Sequence, residues 1–322
     1  MRLCPGVIAM AEMTALRAHR RGGPEVLAVE SAPVPVPAAG EVLVAVHAAA
    51  ITFDELTWEE TWTRDGVDRT PTIVSHEVSG VIAETGPGVT DVQPGDDVYG
   101  LVAFDRDGAA AEFVAMPATD LAAKPSTVSH AVAAALPLAG LTALQALVDH
   151  AGVRPGEAVL VHGGAGGVGA LTVQLAAQLG AEVTATVRSD TAELVRGFGA
   201  RHVINTRRAE FDGPGTKYDV VIDTVGGQTL DRSFGVLRRG GRLVTLSAPP
   251  PAGIDTEFGV TATFFIVTAN RDQLTELATL VDSGSLHIEI ADTFPLARGR
   301  EAFESGSRPG RRAGKTVLVV RD

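Results

Sequence analysis

Apolar residues recur along this chain with two different periods. From Thr14 to about Pro125 they come in short runs broken by turn residues, and runs at 42–47, 78–83, 97–102 and 111–115 predict strands. Gly86-Pro87-Gly88 and Pro94-Gly95-Asp96 read as turns between them. Pro33-Val34-Pro35-Val36-Pro37 reads as an extended connector, because each proline fixes its own φ and biases its predecessor away from helix. Residues 13–128 are therefore expected to form an antiparallel, partly closed β-domain. After about Ser129 helical stretches alternate with apolar runs at 158–162, 183–187, 202–205, 219–223, 242–246 and 263–267. That alternation predicts a doubly wound parallel sheet over 129–284, with a ligand at the carboxyl ends of its strands. Runs at 288–294 and 316–320 are strand-like, and residues 285–322 are expected to return to the first domain.

The first strand of the second half runs into Gly163-Gly164-Ala165-Gly166-Gly167-Val168-Gly169, and Leu171, Leu175 and Leu179 follow at helical spacing. Gly164, Gly166 and Gly169 fit G-x-G-x-x-G, in which the first glycine makes the turn, the second admits a pyrophosphate and the third lets helix and strand pack closely. Glycine turns also arise for steric reasons alone. Here Gly180 supplies a helix C-cap and a second apolar strand follows, so the β-α-β context of a dinucleotide site is complete. Gly164, Ala165, Gly166, Gly167 and Val168 are the candidate pyrophosphate residues.

With 322 residues, 45% of them hydrophobic, the chain suffices for about two domains. A formal charge of −12 without a cationic stripe argues against nucleic acid and anionic lipid, leaving a small molecule as the expected partner. The single cysteine, Cys4, excludes an internal disulfide framework and fits a reducing, cytoplasmic compartment. No apolar run reaches the length of a membrane span. Residues 1–12 read as a leader ahead of Met13, with disorder the expectation.

About twenty residues beyond the glycine turn, a site for an unphosphorylated ribose presents an acid; this chain presents Arg188-Ser189. An arginine fork matches phosphate geometry, so NADPH is expected over NADH. Asp190 is open to two readings, the N-terminal charge of the next helix, which we favour, or a ribose partner.

Taken together, Gly23-Pro24-Glu25-Val26-Leu27, Gly40-Glu41-Val42-Leu43-Val44, Pro94 to Gly100, Ala139-Gly140-Leu141-Thr142-Ala143, the glycine turn, Asp219-Val220-Val221-Ile222-Asp223 and Gly314-Lys315-Thr316-Val317-Leu318 make the chain resemble a known family. It resembles the medium-chain dehydrogenases/reductases, in their zinc-independent quinone-oxidoreductase branch. The resemblance implies a GroES-like β-barrel domain joined to a Rossmann domain. Alcohol dehydrogenases of this family hold zinc with a cysteine, a histidine-glutamate pair and a second cysteine, whereas here only His76-Glu77 remain. Thr52 aligns with the first cysteine and Leu138 or Ala139 with the second, so no metal is expected. Without that Lewis acid, hydride delivery to an already polarised acceptor is favoured over alcohol oxidation.

The resemblance also implies that the nicotinamide lies near Thr52, Thr142 and Ser247, with the backbone around Phe265 and Val267 facing the carboxamide and Thr206 standing where a phosphate-facing tyrosine is common. Thr142 is read at the start of an apolar helix, as a cap or a cofactor contact; Arg207 and Arg208 are read as solvated charges. Thr52 and His76 are the candidates to orient or protonate substrate, and Glu55 supports the cleft. Tyr99 and Tyr218 fall in structural motifs, which removes the tyrosine donor some enoyl reductases use. Phe53, Trp58 and Trp62 either wall a pocket for flat acceptors or simply pack a loop. The last strand of the parallel sheet is expected at an edge, where the family often dimerises, so a homodimer is expected. The implied activity is NADPH-dependent, zinc-independent reduction of a quinone or another α,β-unsaturated carbonyl. Reduction of an enoyl thioester and a non-catalytic NADPH-binding redox sensor are the alternatives.

Overall fold

The computed structural model describes residues 11–321 apart from 214 and 216. Most of the expected leader, residues 1–10, lies outside the described residues, but Glu12 does not belong to it. Strand Glu12–Ala18 pairs antiparallel with Leu27–Pro33 from Glu12↔Pro33 to Ala18↔Leu27, and buries Ala15, Leu16 and Ala18 completely. A boundary after residue 12 would cut this strand's first pair.

The larger sheet of the first half runs Leu121–Ala123, Asp97–Leu101, Glu77–Thr85, Glu41–Ile51, Lys315–Val319, Ile290–Pro295, with Phe113–Pro117 also on Glu41–Ile51. Glu41–Ile51 is central and covered on both faces. Val42, Val44, Val46 and Ala49 join one apolar cluster, while Ala48 and Ala50 join another. Strands from the end of the chain lie in this sheet. Lys315–Val319 pairs antiparallel with Glu41–Ile51, Thr316 facing Ile51. This register delivers the residue before Thr316 to the residue after Ile51, that is, Lys315 to Thr52.

The second half is a six-stranded parallel sheet in the order His202–Asn205, Glu182–Val187, Ala158–Val161, Tyr218–Asp223, Leu237–Thr245, Thr261–Phe264. Its first and fourth strands in chain order are neighbours, so the switch point of a doubly wound sheet lies beside Ala158–Val161. Alternate residues bury on opposite faces. Val159, Val161, Val220 and Ile222 pack under helices α1 (Pro137–Leu144) and α2 (Gly167–Gln178), while Leu160, Val221 and Leu243 meet Phe234 and Leu237. The last strand stops at Phe264, short of the expected Val267, because its only partner among the described residues ends at Thr245. Residues 265–267 leave the sheet.

Helix α3 (Arg271–Asp282) rivets the two halves together. The fully buried Tyr99 donates its hydroxyl to the Leu274 carbonyl, Arg271 Nε donates to the Leu121 carbonyl at 3.0 Å, and the Asp282 carboxylate accepts from the backbone and hydroxyls of Ser126 and Thr127. Tyr99 is thereby spent on structure, and Tyr218 is buried in the opposite core face.

Candidate active site

At the switch point the chain turns sharply before entering α2. Gly163 takes φ +73°, and the Gly166 N–H closes the turn on the Gly163 carbonyl at 2.8 Å. The third motif glycine is required by contact. A Cβ at Gly169 would stand 2.1 Å from the Gly163 carbonyl oxygen, so only glycine lets α2 start this close to the strand. The N–H groups of Gly167, Val168 and Gly169 then open the helix without intrahelical acceptors, a dipolar cradle for an anion.

Two hollows flank this turn and meet at Thr224 and Val225. The outer one, about 430 Å³, takes Ala165 and Gly166 at one end and Arg188, Ser189 and Thr206 at the other. Asp190 does not enter it; its carboxylate pairs with Arg208 at 3.0 Å and lies outside the helix Ala192–Gly197, whose N-cap is Thr191. Sequence reading missed three cations of this wall: Arg232, Arg311 and Arg312. Arg232 is held by Glu210 and Asp212, and Arg312 pairs with Asp292 at 2.9 Å. Arg311 stacks on Phe53 at 4.6 Å and donates to the Gly314 carbonyl at 2.8 Å. Among the described residues Arg188 has no side-chain partner.

The inner hollow is a cleft of about 540 Å³ between the domains. Thr52, Thr142, Val168, Ser247, Phe265 and Val267 all line it, so the candidates for the nicotinamide end converge. Thr142 sits inside α1 rather than at its start, and its hydroxyl donates to the Leu138 carbonyl at 2.6 Å, so it is no cap. Of the three expected aromatic residues only Trp58 lines the cleft, joined by Phe104 at 5.1 Å. Trp62 is buried, its indole N–H donating to the Leu56 carbonyl at 3.0 Å, and Phe53 turns towards Arg311.

His76 is not in the cleft wall. It is buried behind Phe104, whose ring it meets edge-on at 5.3 Å, and burial followed by the charge of Arg69 brings its pKa down to about 4. A neutral imidazole whose two nitrogens make no hydrogen bond, Nε2 standing 4.0 Å from the Glu55 carboxylate, is poorly placed to hand a proton to substrate. Glu55 is equally buried, and both its carboxylate oxygens lie 3.2 Å from the Ser75 N–H. Desolvation raises its pKa well above the usual carboxylate range, against the opposing pull of the Ser75 bond and of Lys315. It clamps Ser75, which has φ +69°. Beside these residues lies a group the sequence did not single out: the Lys315 ammonium pairs with Glu77 and donates to Thr52 Oγ1 at 3.2 Å.

Residues 38–126 match the family described as the alcohol dehydrogenase GroES-like domain, and residues 198–318 match that described as zinc-binding dehydrogenase. The NADPH-dependent alkenal/one oxidoreductase of Arabidopsis thaliana chloroplasts is 33% identical over 92% of this chain and 77% of its own. The chain belongs to the medium-chain dehydrogenases/reductases. A quinone oxidoreductase structure from Coxiella burnetii superposes with a TM-score of 0.89 at 32% identity, covering 97% of this chain and all of the other. Polyketide synthase GfsB of Streptomyces halstedii is 34% identical over 87% of the chain, which spans only 5% of that synthase. This medium-chain dehydrogenase/reductase is thus an oxidoreductase with a nicotinamide cofactor, and its likeness is to the quinone-oxidoreductase branch.

A catalytic zinc does not fit it, despite the name of one matched family. Thr52 and Leu138 offer no thiolate, and among the described residues no three histidine, cysteine or acidic side chains gather as a metal-binding group. Lys315 brings a cation of its own to Thr52 and Glu77. No helix of the described residues is long and apolar enough to cross a membrane.

Proposed function

We propose that this oxidoreductase uses NADPH to reduce quinones or other small, uncharged α,β-unsaturated carbonyl compounds. The observation that carries this reading is the lining of the inner cleft: Trp58, Phe104 and Phe265 supply flat walls, and among the described residues Asp54 and Glu60 supply its only charges and no lysine or arginine lines it. Such a wall suits a flat neutral acceptor and repels an anionic one. When bound, the reduced nicotinamide supplies the hydride. The chain's residues do the rest: the opening turn of α2 holds the pyrophosphate, Val168, Thr142 and residues 265–267 bound the ring, and the aromatic walls exclude water from the acceptor.

NADPH rather than NADH is supported by the outer hollow, where Arg188, Arg232, Arg311 and Arg312 stand against Glu210, Asp212 and Asp292, and Arg188 is left without an acidic partner among the described residues. A phosphorylated ribose matches that excess.

Enoyl-thioester reduction is the second reading, favoured by the 34% identity to a polyketide synthase. The acidic rim of the cleft speaks against it, because a phosphopantetheine arm brings phosphate.

The test is direct. The purified chain is mixed with NADPH or NADH and offered a small benzoquinone, a cyclic enone and an enoyl thioester while the absorbance of the reduced nicotinamide is followed. Oxidation of NADPH with the quinone or enone, faster than with NADH, is expected. Turnover of the thioester alone would select the second reading, and cofactor binding with no turnover would make the chain a sensor.

A further inference from the structure

The hydroxyls of the inner cleft differ in one respect that bears on the reduction. Thr57 donates to the Asp54 carbonyl at 2.7 Å, Thr142 to the Leu138 carbonyl at 2.6 Å and Thr224 to the His162 carbonyl at 2.8 Å; Ser247 is engaged with Thr245 and Asp223. Each has an acceptor for its single proton within the fold. Thr52 is the exception among the described cleft residues: its oxygen accepts from Lys315 Nζ at 3.2 Å, and its own proton has no protein acceptor. An ammonium has three donors and no lone pair, so the direction of this bond is not in doubt.

Lys315 is held where it stands. It is only 8% exposed, its ammonium pairs with Glu77, and its stem crosses Gly167 so closely that a Cβ there would lie 2.7 Å from its Cδ. Glu77 is fixed in turn, accepting the Leu138 N–H at 3.0 Å at the start of α1 and pairing in register with Ala50, two residues before Thr52.

Resting on the reductase reading above, we propose that Lys315 is the positioning residue of this site: by occupying the oxygen of Thr52 it turns that hydroxyl proton into the cleft, towards the carbonyl oxygen of the acceptor. In the reduction of an enone, the hydride and its electron pair go to the β-carbon, the alkene pair shifts towards the carbonyl, and the carbonyl pair collects on oxygen. That oxyanion receives the Thr52 hydrogen bond, strengthened by the cation behind it, and Thr52 keeps its proton. The α-carbon then takes a proton from water, and the saturated carbonyl leaves with the oxidised cofactor. The lysine serves the developing charge through a hydroxyl, without a metal.

The experiment reads the ionisation of para-nitrophenol, a flat aromatic oxyanion, bound to the chain with NADP⁺ and titrated by absorbance. It needs no turnover. The wild-type chain should ionise the probe about one pH unit lower than Thr52→Val does, a roughly tenfold change in the ionised fraction. Lys315→Met should match Thr52→Val, and the double substitution should add little, as expected of residues acting in series. Lys315→Met leaves Glu77 buried and unpaired, so Glu77→Gln/Lys315→Met is read in parallel, with urea unfolding as the check on folding. Ionisation of the probe unchanged in both lysine variants, or effects of Thr52→Val and Lys315→Met that multiply, would overturn the proposal. A wild-type chain that shifts the probe through Lys315 but reduces no acceptor would defeat the reductase reading alone.

Discussion

Replacing Arg188 with alanine isolates the phosphate preference from nucleotide binding in general. The other three arginines of the outer hollow are each partly neutralised or held by hydrogen bonds, Arg232 by Glu210 and Asp212, Arg312 by Asp292, and Arg311 by the Gly314 carbonyl. Arg188, at the carboxyl end of strand Glu182–Val187, has no such partner among the described residues, so its whole charge is available to a ligand. A hydrogen bond to a charged group contributes about 1.5–3 kcal/mol, and exposure pulls the figure towards the smaller values of surface pairs. A loss of about 1–2 kcal/mol, or roughly 5- to 30-fold in Kd for NADPH, is therefore expected, with NADH affected no more than about twofold. The assay is titration of the reduced nicotinamide fluorescence with both cofactors, in wild type and Arg188→Ala, at low and high salt. Screening should shrink the wild-type preference as salt rises and leave the variant flat. Equal loss of both cofactors would place Arg188 on the shared pyrophosphate, and an unchanged NADPH affinity would remove it from the site; either refutes the reasoning.

Gly169→Ala forces a Cβ to 2.1 Å from a backbone carbonyl, so the gain of about 1 kcal/mol from removing a helical glycine should be outweighed by about 1–3 kcal/mol of overpacking. Urea unfolding should show a net loss, smaller in Gly166→Ala, whose nearest neighbour is 3.2 Å away. His76, His130 and His162 all have pKa values brought down to about 4, chiefly by burial, so below the unfolded value of about 6.5 the unfolded chain binds protons that the folded one refuses. Stability should be level above pH 7 and fall between about 6.5 and 4, by up to about 1.4 kcal/mol per pH unit for each histidine, and urea midpoints that do not move between pH 7 and 5 would contradict this. The parallel sheet ends in the short edge strand Thr261–Phe264, and Ile266 just beyond it is 55% exposed, so a dimer joined there should fall to single chains in Ile266→Arg. Light scattering that gives the wild type the mass of one chain would end that idea.

What the sequence made legible was local. The change of apolar period after about residue 129 and the strand-glycine-helix run at 158–179 depend on neighbours in the chain, and both correspond to observed structure. What it concealed depended on pairing at a distance. The final strand of the parallel sheet stops at Phe264 because its partner stops at Thr245, and no property of residues 265–267 announces that. Trp58 and Trp62 look alike in sequence, yet Trp58 is the extended residue ahead of the helix Glu59–Trp62 and lines the cleft, while Trp62 ends that helix and is buried in the core. Three of the four arginines of the outer hollow were missed because they come from elsewhere in the chain, Arg232 from the helix Gln228–Ser233 and Arg311 and Arg312 from the tail.

The contact between Thr52 and Lys315 spans 263 positions and exists because two strands pair in one register. A signal for it was nevertheless present. Lys315 opens a strand whose other residues are apolar or threonine, and Glu77 opens another that is buried over its first four positions. Neither charge can be buried alone without a cost of several kcal/mol, so each strand requires an opposite charge from elsewhere in the fold. Two such strands in one small domain imply each other, and their meeting point is adjacent to Thr52.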